Sequence, residues 1–147
     1  MSDILPIEKK VEIAREFVAR VFNEHKPDRA REYFTDDVVW HGGSLGRIAG
    51  VDNMVNLLQA FIGALPDLVA AEQDLIASGD LVAMRLVVTA THSDDLLGIP
   101  NTGRRVQWDA VDIYKVNDDG KISEEWALDD MASFASQLGA ISLPWAV

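Results

Sequence analysis

The chain has 147 residues, 48% of them apolar and 25% charged. That length suits one domain over residues 1–147, large enough to bury roughly 68–70% of its unfolded surface and so to need no disulfide or structural metal. The absence of cysteine excludes a disulfide scaffold, a thiolate zinc site and a cysteine nucleophile, and the net charge of −11 opposes nucleic-acid binding, which depends on cationic groups.

No apolar run reaches the roughly 20 residues of a membrane span. Met1 to Lys10 lacks the cationic start and apolar core of a signal peptide, so a cytoplasmic location is expected.

Pro6 to about Glu24 is predicted to be helical, because Ile7, Val11, Ala14, Val18, Val21 and Phe22 recur at helical spacing and Pro6 suits a first turn. Asp28 to Phe34 reads as a short second helix after the turn His25-Lys26-Pro27. A brief extended stretch, Val38-Val39-Trp40, ends at His41 before Gly42-Gly43. A third helix is expected from Val51 to Leu65, with Met54, Leu57, Leu58, Phe61 and Leu65 as its apolar stripe and Pro66 as its stop.

The period then changes to that of strands: Leu68–Ala77, Leu81–His92, Arg105–Val116 and Lys121–Asp129. Ser78-Gly79-Asp80 and Asp118-Asp119-Gly120 read as three-residue hairpin loops, and the long loop Ser93–Arg104 as a rim beside a pocket. A last helix covers Met131 to Leu138 and ends at Gly139. The tail Ile141 to Val147 is apolar. Helices followed by an antiparallel meander is the α+β order, with one face of the sheet packed on the helices.

Side chains alternate along a strand. On the third strand Val106, Trp108, Ala110, Asp112, Tyr114 and Val116 share a face; on the fourth, Ile122, Glu124, Trp126, Leu128 and Asp130 do. A three-residue loop pairs Val116 with Ile122, which sets Asp112 opposite Trp126, Ala110 opposite Leu128 and Trp108 opposite Asp130. Two carboxylates then share an apolar surface with two indoles. Desolvation raises a carboxyl pKa, which suits proton exchange near neutrality and makes Asp130 the candidate acid/base. Asp130 also stands where a cap for the last helix belongs, and Asp129 is the other residue that fits that place. Asp112 reads equally as a structural acid paired with an arginine, and Arg85 as half of an ion pair. Glu125 and Asp129 fall on the solvated face in this register.

His41 lies at a strand end that opens toward a pocket, His92 ends the second strand on its apolar parity, and His25 sits in a polar turn. The three histidines share no metal-ligand spacing, so no metal site is expected. The second strand is apolar on both parities, which predicts a homodimer or homotetramer through the sheet face.

Leu65-Pro66-Asp67-Leu68, Thr91-His92, Gly98-Ile99-Pro100-Asn101-Thr102-Gly103-Arg104, Asp119-Gly120-Lys121-Ile122, Trp126 with Asp130, and Gln137-Leu138-Gly139 together resemble the SnoaL-like polyketide cyclase family of the nuclear-transport-factor-2-like superfamily. The likeness is strongest from Leu65 to Gly139. It implies a cone-shaped α+β barrel, a curved mixed or antiparallel sheet packed on N-terminal helices around an apolar pocket. It also implies a cofactor-free enzyme closing a ring by intramolecular aldol condensation of a small hydrophobic, cyclic or aromatic carbonyl substrate. By resemblance Asp130 matches the catalytic aspartate, and Asp112, His41 and His92 match pocket positions. Trp108, Trp126, Trp40 and Phe61 would supply flat walls. The family usually has a basic or aromatic residue where Glu125 stands and a proline where Asn101 stands. Related readings are a ketosteroid isomerase, an epoxide hydrolase, a cofactor-free hydroxylase and a small-molecule-binding protein without turnover. Ala110, where an epoxide hydrolase would want arginine, counts against that one.

Overall fold

The computed structural model describes residues 3–145, so Met1 and Ser2 of the N-terminal stretch and Ala146 and Val147 of the apolar tail lie outside the described residues. Helix α1 runs Ile7–Phe17 and continues as a π turn, Val18–Asn23, in place of the uninterrupted α-helix that the spacing predicts. A 3₁₀ helix, Pro27–Glu32, leads into β1, Phe34–His41. A 3₁₀ turn at Gly43–Leu45 and the short β2, Arg47–Ala49, precede α2, Val51–Ala64. Then come β3 (Val69–Ser78), β4 (Leu81–Thr91), β5 (Arg105–Val116), β6 (Ile122–Asp129) and α3 (Met131–Gln137).

The six strands form one curved, unclosed sheet in the order β2-β1-β6-β5-β4-β3. All neighbours are antiparallel except β1 and β6, which run parallel. Its inner face packs on the helices. Val82, Met84, Leu86, Val88 and Ala90 of β4 and Val106, Trp108, Ala110, Tyr114 and Val116 of β5 are buried there. Phe17 knits α1 to the sheet, with Phe34, Tyr114 and Tyr33 ring centroids 5.1, 5.6 and 5.9 Å away. Such contacts contribute about 0.5–1.5 kcal/mol each beyond burial. Among the described residues no helix is long and apolar enough to cross a membrane.

Two hairpin details depart from expectation. Ser78 pairs with Leu81, so the β3–β4 loop is two residues, with Gly79 at φ 60°. In the β5–β6 hairpin Val116 does pair with Ile122, but Lys115 pairs with Glu124. Ser123 is therefore an extra residue, a β-bulge. Beyond it every β6 side chain faces opposite to the unbulged register. Ala110 faces Asp129, Asp112 faces Ala127 and Tyr114 faces Glu125.

Two amide side chains stand in for missing strand neighbours. Asn23, at the end of the π turn, accepts from the Ala70 amide at 2.7 Å and donates to its carbonyl at 3.0 Å on edge strand β3. Gln137 does the same for Gln107 of β5, at 3.0 and 2.7 Å, beyond the end of β6. It ties α3 to the sheet, with Arg104 donating to the Gln137 carbonyl at 3.1 Å. Gln137→Leu keeps the side-chain bulk but leaves the Gln107 amide and carbonyl without this partner. A loss of about 1–3 kcal/mol in urea unfolding is expected.

Candidate active site

The helices and the inner sheet face form the walls of an apolar chamber. Phe17 and Phe22 line it from α1 and the π turn, Met54, Leu57, Leu58 and Phe61 from α2, Trp40 from β1, and Leu86, Val88 and Trp108 from β4 and β5. Against these apolar walls stand three carboxyl groups, Asp112 of β5 and Glu125 and Asp129 of β6. Among the described residues no lysine, arginine or histidine lines the chamber.

The bulge at Ser123 is what assembles this trio. Without it Glu125 and Asp129 would face outward, and Trp126 and Leu128 inward. Asp112 is buried, and its Oδ2 accepts from the Tyr114 hydroxyl at 3.1 Å. Burial, reinforced by the Asp129 charge, pushes it up to about 8, against the opposing Tyr114 hydrogen bond. Glu125 is only 3% exposed. Burial first, then Asp112 and Asp129, hold it well above the ordinary carboxylate range, with Trp40 opposing. Asp129 is the least enclosed of the three, half-buried at the chamber wall. Its Oδ1 accepts from the Trp108 indole N–H at 2.8 Å, and burial raises its pKa in spite of that bond. The unpartnered buried oxygens include Asp112 Oδ1 and Glu125 Oε1.

Asp130 must be corrected. It is exposed and is the N-cap of α3, where its Oδ1 accepts from the Ser133 amide at 3.0 Å. The acid in the chamber is its neighbour Asp129. His41 and Trp126 are also outside the chamber lining. Their rings stack at 5.4 Å and 15°, and His41 Nε2 lies 2.7 Å from Glu124 Oε2, a cluster the bulge turns to the outer face of the sheet. His92 is fully buried yet lines no part of the chamber. Its Nδ1 accepts from the Thr102 amide at 3.2 Å and meets the Thr102 hydroxyl at 2.9 Å, which anchors the loop 93–104. Trp40, Phe61, Trp108 and Asp112 do line the chamber. Arg85 pairs with Asp74 at 2.7 Å on the outer face, away from Asp112. Among the described residues no group of three or more histidines and acids is placed to hold a metal ion.

Sequence reasoning missed Glu125 and Asp129 because alternation assigns the apolar Trp126 and Leu128 to the inside. The one signal within reach was that either register of β6 leaves two carboxylates on its inner face.

The sequence profile of the SnoaL-like polyketide cyclase family matches residues 12–138. The chain belongs to this family. Among solved structures it is similar to AclR of Streptomyces galilaeus, provisionally named a hydroxylase, at 27% identity and a TM-score of 0.81, covering 93% of this chain and 100% of that one. It is similar to IdmH of Streptomyces antibioticus, provisionally named a polyketide cyclase, at 29% identity and a TM-score of 0.74, covering 88% and 98%. An epoxide hydrolase of M. tuberculosis shares the fold, at 20% identity and a TM-score of 0.71, covering 90% of each chain. No functionally curated protein matches the chain. Family and neighbours thus favour an enzyme, and the chemistry on this scaffold is varied.

Proposed function

We propose that this SnoaL-like chain is a cofactor-independent acid/base enzyme that closes a ring by intramolecular aldol addition, with Asp129 as the catalytic residue. One observation carries the reading: Asp129 is the chamber acid that is both oriented, by the Trp108 N–H, and partly open to solvent. A general acid/base needs that combination, a raised pKa with a route for proton exchange.

The steps balance without a co-reactant. The Asp129 carboxylate takes a proton from a carbon beside a carbonyl, so the C–H bond breaks and an enolate forms. The enolate carbon attacks a second carbonyl of the same molecule, forming the C–C bond and an alkoxide. Asp129 returns its proton to that alkoxide and is a carboxylate again. Trp40, Trp108 and Phe61 supply flat apolar surface that suits a cyclic or aromatic substrate, and folding the substrate between them brings the reacting carbons together. The test is ring closure of an oxobutyl-cyclohexanone probe followed by NMR: acceleration over buffer supports the reading, and a rate equal to that in buffer overturns it.

Self-association belongs to the same proposal. Val69, Ile76, Val111 and Leu128 are exposed on strands whose other faces form the core, which supports a second copy packing across the outer sheet face. Light scattering at micromolar concentration is expected to give a dimer or tetramer mass.

A further inference from the structure

The chamber holds more acid than the aldol reading uses. One carboxyl suffices to move a proton, yet three share the apolar space with no basic side chain among the lining residues. Two of them, Asp112 and Glu125, line the chamber, are each more than nine-tenths buried, and each has a buried oxygen with no hydrogen-bond partner. On the β5–β6 ladder they are diagonal neighbours, since Glu125 lies opposite Tyr114 and Asp112 opposite Ala127. Diagonal positions sit roughly 7–8 Å apart at the backbone, a gap one small group between the two carboxyl tips can span.

We propose that the chamber is built for a lipophilic amine: the substrate carries an ammonium group that donates to Asp112 Oδ1 and Glu125 Oε1, while Asp129 is left to serve the reacting carbon. This rests on the reading of the chamber as the reacting pocket. Three features favour a cation over a neutral or anionic group. An ammonium brings two or three N–H donors and so satisfies both orphan oxygens, where an alcohol has one O–H. The walls include Trp40 and Trp108, and an indole ring attracts cations. The net charge of −11 draws cations and repels anions. Burial raises the pKa of all three acids, Asp112 to about 8, and an ammonium seated between Asp112 and Glu125 would favour their charged forms.

The groups that titrate here are Asp112, Glu125 and Asp129, with the Tyr114 hydroxyl bonded to Asp112. The lining residues from α1, its π turn, β1, α2, β3 and β4 carry no charge. A cation therefore binds more tightly as these acids ionise, whereas a carbonyl ligand that needs them as proton donors binds less tightly.

The test uses three probes of one shape, naphthylethylamine, naphthylethanol and naphthylacetone, titrated calorimetrically into the full chain. The amine is expected to bind at least about tenfold tighter than either neutral probe, and its affinity to rise between about pH 6 and about pH 8.5. Glu125→Gln and Asp112→Asn should each erase most of the amine preference, lowering amine affinity far more than naphthylethanol affinity. Equal affinity for amine and alcohol, a preference for the ketone, or an amine preference that survives both substitutions overturns the proposal. Should the variants fail to fold, the three probes and the pH trend on the unsubstituted chain decide it alone. Binding is read here without turnover, so failure of amine selectivity with ring closure intact removes only this inference. Ring closure that never appears removes the aldol reading and leaves amine recognition standing.

Discussion

Asp129→Asn is expected to lower the rate of ring closure by about 10²–10⁴-fold, the range a positioned general acid/base contributes. The carboxamide is nearly isosteric, and its oxygen can still accept from the Trp108 indole N–H that Asp129 Oδ1 accepts from at 2.8 Å. The chamber wall should therefore stay in place, and probe affinity should change little. A fall in kcat with binding kept is the signature of a group acting on the reacting atoms. Asp130→Ala is the matched control. It removes the cap on the Ser133 amide and is expected to cost about 1 kcal/mol of stability with kcat unchanged. The reverse result, a dead Asp130 variant beside an active Asp129 variant, would return the chemistry to the capping residue. A binder without turnover would show no ring closure for either substitution to remove, and only the stability cost of Asp130→Ala would be seen.

The second large effect is on stability, and it runs opposite to common acid denaturation. Asp112 holds its proton in the folded chain up to about 8, whereas its ordinary value is 3.8. Glu125 and Asp129 are raised as well. Between the ordinary carboxylate range and pH 8 the folded state thus binds more protons than the unfolded state. Its stability is full below the unfolded pKa and declines as pH rises through the folded one. Warming curves should show the melting temperature climbing as the buffer is taken from pH 8 to pH 5, by a free energy on the order of a few kcal/mol. Further acidification reverses the trend. Glu72 beside Arg15, Asp67 beside Thr91, and Glu32 beside Arg29 are held below their ordinary values, and their contribution is lost as they protonate. Asp112→Asn removes one of the buried acids, so its melting temperature should vary less over that interval and exceed that of the unsubstituted chain at pH 8. A melting temperature independent of pH from 5 to 8 would show that the acids are not shielded from water.

Most of the element order and the layering were legible because they follow from periodicity; the short β2 was missed, and Phe34, expected in a helix, opens β1 instead. The apolar stripe of α2, the β4 run and the Pro66 and Gly139 breaks each state their structure locally. The side-chain assignments on β6 were not legible. They depend on Ser123, a residue with no special backbone signature, and on a face whose composition defies the inside-outside rule because it carries the acids. The motifs behind the family likeness explain why fold was easier to read than site. Asp67 binds the Thr91 amide and hydroxyl at 2.6 and 2.7 Å, His92 and Thr102 hold the loop 93–104, and Gln137 replaces a strand. These residues maintain the scaffold, while Glu125 and Asp129 lie in none of the matched stretches. The parallel partnership of β1 with β6 was equally out of reach, because it is made across most of the chain's length.

The π turn of α1 joins two tasks. Val18–Asn23 takes up one more residue per turn than an α-helix would, and each residue gained or lost rotates the downstream chain by about 100°. Phe22 and Asn23 ride on that rotation together, the first as chamber wall and the second as the latch on Ala70, itself a lining residue. Chamber girth and edge closure are thereby geared to one another. Trimming a residue here to widen the chamber would also release Asn23 from Ala70, leaving that amide and carbonyl on the outer edge of β3 without their side-chain partner.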